Sequence, residues 1–123
     1  MVAGVLAPVL ATAHPKPDRY YSATYKTCLN GAMSTLQMKD CIGDEYAAWD
    51  KQLNQTYQAL MTRRAPADQV GLRDDERAWL KRTKHKCDHA GDGEQGGTLQ
   101  GVEIDQCNLD ETILRTVYLR GLG

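Results

Sequence analysis

The densest grouping of side chains able to do chemistry is His85-Lys86-Cys87-Asp88-His89. Two imidazoles and a thiolate so close together would suit a soft metal such as zinc or copper. That use requires a reduced Cys87. The chain has four cysteines, at 28, 41, 87 and 107, and no C-x-x-C pair, so neither a zinc ribbon nor a thioredoxin motif is present. An even count without those motifs reads as two disulfides in an exported chain. Joining nearest neighbours gives Cys28–Cys41 and Cys87–Cys107, each tying an irregular segment to a helix. Oxidation of Cys87 leaves His85 and His89 as weak metal candidates, so no metal and no cofactor is expected.

The second grouping is acidic. Residues 88–106 carry Asp88, Asp92, Glu94, Glu103 and Asp105, five glycines, and neither lysine nor arginine. Without hydrophobic periodicity they read as a long loop closed by Cys87 and Cys107, and loops of that length are usually functional or disordered. The rest of the chain has a basic excess, so this acidic segment is the candidate surface for a cationic partner. Signatures of catalysis are missing: no nucleophile elbow, phosphate-cradling glycine loop or H-E-x-x-H is present. The paired acids Asp44/Glu45 and Asp74/Asp75 are adjacent, so a helix points them apart. The chain is read as a non-enzyme.

These residues must be positioned by helices. From Ser34 to Leu60, Met38, Ile42, Glu45/Tyr46, Trp49, Leu53, Tyr57 and Leu60 recur every three or four residues, an amphipathic helix stripe. Ser34 and Gln37 have the form of a capping box. Pro66 starts a second helix over residues 67–86, with Leu72, Glu76, Trp79, Leu80 and Thr83 inward and a basic outer face. The short connection makes these two helices antiparallel neighbours, with Trp49 and Trp79 each buried against the other's helix. A third helix is expected over residues 108–120, with Asp110 and Glu111 in its first turn and Arg120 in its last. The fold class is therefore all-α: two long antiparallel helices, a C-terminal third and a Gly-rich acidic loop, stapled by disulfides.

With 123 residues the chain makes one domain, and a formal charge of −1 argues against a nucleic-acid binder. Residues 1–13 are apolar, too short to span a membrane, and end in A-x-A, which reads as a signal peptide and so as export. Residues 14–33 form a leader with two prolines and three tyrosines before the helical domain of residues 34–123.

An ordered set of these residues resembles the LprI-type lysozyme-inhibitor family from Cys28 to Leu119. The set is Cys28, Met38, Cys41, Glu45, Asp50-x-x-Leu53-Asn54-x-x-Tyr57-x-x-Leu60, Arg77-x-Trp79, Cys87, and Cys107-x4-Thr112-x2-Arg115-x3-Leu119. Where that family usually has an Arg-Asp pair between the Trp and the next Cys, this chain has Thr83-Lys84. The resemblance implies a periplasmic or secreted protein that binds and inhibits lysozyme or another cationic cell-wall hydrolase. Two other readings remain open: an envelope interaction domain without lysozyme affinity, and metal binding through His85 and His89. Trp49, Leu53, Tyr57, Leu60 and Trp79 read as scaffold, whereas Asp50, Asn54 and Arg115 fit either a buried network or a contact surface.

Overall fold

A computed structural model describes residues 16–123, and the signal-peptide expectation for residues 1–13 lies outside them. A 3-10 turn, Pro17–Tyr20, leads into four helices: α1 (Ala23–Gly31), α2 (Thr35–Thr62), α3 (Pro66–Asp88) and α4 (Gln100–Leu122). No strand occurs among the described residues, and both disulfides form as the spacing predicts, Cys28–Cys41 and Cys87–Cys107.

Local chemistry sets the boundaries. Ser34 caps α2 by accepting from the Gln37 N–H, and the Gln37 side chain returns a bond to the N–H of Met33, one residue before the cap. Pro66 opens α3 at a position where a missing N–H costs nothing. Ser22 caps α1 through the Tyr25 N–H, so the leader contains a true helix.

Two expectations are corrected. The third helix begins at Gln100, eight residues earlier than its apolar spacing suggested. The irregular segment shrinks to residues 89–99, with a 3-10 turn at Asp92–Glu94. Gly91 is buried in it, and a Cβ there would sit 2.6 Å from the Gln100 carbonyl oxygen, so the close approach admits only glycine.

The packing also differs. Although α2 and α3 are joined by a tight turn, each takes α4 as its principal partner, and their own backbones come close at few positions even though their side chains share one apolar cluster. The central helix is α4, running parallel to α2 and antiparallel to α3. Lys39 reaches Asp105 near one end and Arg120 reaches Gln52 near the other, while Arg115 reaches back to Asp75 and Glu76. Two apolar clusters result. One joins Tyr25, Cys41, Ile42, Trp49, Val102, Leu109 and Ile113; the other joins Leu53, Leu60, Leu72, Trp79 and Leu119. Full burial of each large aliphatic side chain stabilises by roughly 1.5–3 kcal/mol. Both tryptophans are buried as expected, but Trp49 faces α4 and the leader, with the Tyr20 ring edge-on at 6.4 Å, and does not face α3. Leu80, expected inward, is 53% exposed.

Candidate functional site

Several polar members of the sequence signature are consumed by the scaffold. Glu45 is buried and accepts three bonds: from the Ser22 N–H at 2.8 Å, the Ser22 hydroxyl at 2.7 Å and the Trp49 indole at 3.3 Å. One carboxylate thus fixes the start of α1 against α2. Arg115 is also buried, donating to Glu76 Oε1 and Asp75 Oδ2, both at 2.8 Å. Its guanidinium lies over the Trp79 and Tyr118 rings, 5.4 and 4.9 Å from their centroids. Charge pairing and ring contact together offset the cost of burying a cation. Thr112 is buried as well, its carbonyl accepting from the Thr116 hydroxyl.

A further network escaped the sequence reading. Asp110 Oδ1 accepts from the Tyr21 hydroxyl at 2.6 Å and from Gln106 Nε2 at 3.0 Å, while the Tyr25 hydroxyl donates to Gln106 Oε1. Burial, followed by the neighbouring Asp110, pushes the Tyr21 phenol far above its ordinary value. Burial also raises the Asp110 carboxyl, although its bonds from Tyr21 and Gln106 oppose that shift.

The remaining signature residues converge on one open feature. Because α2 and α3 splay apart over α4, a groove of about 440 Å³ runs between them. On the α2 wall, Tyr46, Asp50, Asn54 and Tyr57 recur at helical spacing; on the α3 wall stand Arg73, Glu76, Arg77 and Leu80, and Thr112 contributes from α4. Asp50 is half-buried with one long bond, from Asn54 Nδ2 at 3.4 Å. Among the described residues no ion pair engages Asp50, Arg73 or Arg77. Burial first, then the Asp50 charge, raises the Tyr46 phenol and keeps it a donor.

The acidic candidates do not form one free patch. Asp88 pairs with Lys84, Asp92 with the His89 ring at 3.0 Å, and Asp105 with Lys39 at 2.6 Å; Glu94 and Glu103 are exposed without a basic partner among the described residues. Glu103 and Asp105 belong to α4, while Asp92 and Glu94 belong to the 3-10 turn. His85 and His89 stack edge-on at 4.9 Å, and no group of three or more His, Cys, Asp or Glu side chains among the described residues is gathered to hold a metal ion. At the position of the usual Arg-Asp pair, Thr83 is buried and Lys84 reaches Asp88 on the surface.

Fold and site together define a small disulfide-stapled helical module with an open groove and a mixed-charge surface. Its class is confirmed by comparison with known proteins. The chain belongs to the family of the lysozyme inhibitor LprI, whose model matches residues 28–119. It is also similar to an uncharacterized protein of Rhizobium meliloti strain 1021, 25% identical over 104 aligned positions, with 74% of this chain and 75% of that protein covered. No solved structure matches.

Proposed function

We propose that the protein is an exported binding module that inhibits a cationic cell-wall hydrolase of the lysozyme kind, without catalysis of its own. The observation that carries this reading is the family match over residues 28–119, which spans both disulfides, the whole of α2 and α3 and most of α4. Two structural disulfides suit an oxidising compartment outside the cytosol. No described helix is long and apolar enough to cross a membrane.

The contact surface is proposed at the disulfide-bound end of α3 and α4, where Asp88, Asp92, Glu94, Glu103 and Asp105 lie. Glu94 and Glu103 contribute most to steering a basic enzyme, because Lys84 and Lys39 offset Asp88 and Asp105 while Asp92 is bonded to the His89 ring. The Cys87–Cys107 bridge limits the order that the intervening segment must lose or gain on binding.

Titrating purified protein into a lysozyme turbidity assay on bacterial cells tests the reading. Clearing should slow with dose and saturate near equimolar protein. Unchanged clearing with a large excess, against lysozymes of several structural classes, would overturn it. Changing Asp92, Glu94, Glu103 and Asp105 to their amides should slow association and flatten its salt dependence. Inhibition unaffected by that change would move the contact surface elsewhere.

A further inference from the structure

We infer that the groove between α2 and α3 is a binding site for an acidic amino-sugar glycan, separate from the surface proposed to meet an enzyme. The inference does not rest on inhibition; it rests on the groove's own chemistry. Tyr46 to Tyr57 spans 11 residues of one helix face, about 16 Å at 1.5 Å per residue, so the site is elongated. Its volume of about 440 Å³ lies within the range of small-ligand sites.

Three features select the ligand. Tyr46 and Tyr57 offer ring surface with polar tips, suited to sugar rings that have both apolar faces and hydroxyl edges. Asp50 and the Asn54 and Gln58 amides on the α2 wall can accept from and donate to hydroxyl or acetamido groups. Across the groove, Arg73 and Arg77 have no acidic partner among the described residues, and their planar forks match a carboxylate. Asp50 and these arginines stand on opposite walls without pairing. A ligand that donates on one side and carries carboxylates on the other would bridge them, and a glycan strand with acidic substituents does both.

A peptide fits less well. The walls are helices whose backbone groups are already bonded, so no strand edge is available to pair with an extended chain. Beside Leu53, Trp79 and Leu80 the lining carries four charged side chains, Asp50, Arg73, Glu76 and Arg77, whereas an amphipathic helix needs a mainly apolar trough.

The test uses the full chain titrated calorimetrically with soluble peptidoglycan glycan strands, with neutral chito-oligosaccharides and an amphipathic helical peptide as comparison probes. Saturable binding is expected for the acidic strands, weaker binding for the neutral oligomer and none for the peptide. Arg77→Gln and Tyr57→Ala should each weaken strand binding by at least about tenfold, with helical content unchanged by circular dichroism. Arg77 is exposed, so its variant keeps the fold and isolates the loss of the guanidinium. Absence of saturable strand binding, equal affinity of both variants and wild type, or preferential capture of the peptide would each overturn the assignment. Binding of immobilised lysozyme, measured without any glycan, reads the enzyme surface separately, so either idea can fail alone.

Discussion

At the α1 end, Tyr25, Ile42, Trp49, Leu109 and Ile113 close around one another. Polar bonds from three segments then lock the rim: Ser22 to Glu45, Tyr21 and Gln106 to Asp110, Tyr25 to Gln106. At the other end, Leu53, Leu60, Leu72, Trp79 and Leu119 make a smaller cluster, and the two outer helices diverge above it to leave the groove. Both ends use α4 as their floor. The difference lies in what covers it: at one end a leader folded back over α2, with the Cys87–Cys107 bridge tying the end of α3 beside Gln106, and at the other only α3, tied by Arg115. A helical layer with three contributors closes, whereas one with a diverging pair stays open to a ligand.

The sharpest way to break this contrast is Arg115→Ala, which removes the tie and leaves Glu76 buried without its partner. A loss of about 3–5 kcal/mol is expected, as for other severed buried pairs. Chemical denaturation measures it; a loss under about 1 kcal/mol would mean that the open end does not depend on the pair. Replacing Cys87 and Cys107 together by alanine should cost roughly 3 kcal/mol in the chain-entropy picture, for a sequence separation of 20 residues. Hydrogen exchange should then rise at residues 89–99 while the cluster of Leu53, Leu72 and Leu119 stays protected, and uniform loss of protection would erase the distinction between the two ends.

At the closed end, Glu45→Ala deprives the Ser22 N–H, the Ser22 hydroxyl and the Trp49 indole of their acceptor. About 1.5–3 kcal/mol should be lost, with exchange rising first in α1. An undisturbed α1 would show that its apolar contacts suffice. The smallest effect concerns pH. Burial raises the Asp110 carboxyl above 3.8, so the folded state holds that proton more tightly than the unfolded chain. Stability contributed by Asp110 is therefore full at low pH and falls as pH rises from 3.8 through the folded value. Asp110→Asn should flatten this decline, and an identical pH profile in both proteins would contradict it.

Much of the architecture could be read directly. The α2 stripe, its Ser34 cap, the Pro66 start and the nearest-neighbour cysteine pairing depend on contacts within a turn or on chain proximity, and such local rules act before tertiary structure exists. The start of α4 was obscured by Gly101 and by the acids around it, although Val102, Gln106, Leu109 and Ile113 do lie on one helical face. Inward Glu76 was visible from spacing, but its pairing with Arg115 was not, because 39 residues separate them.

The sequence by itself determined the helical periods, most helix limits and the disulfide staples, since each follows from residues near in the chain. Tertiary structure alone decided that α4 lies at the centre and that α2 and α3 part above it. Periodicity says that a face is buried without naming its partner, so the groove exists only once three distant segments have chosen one another.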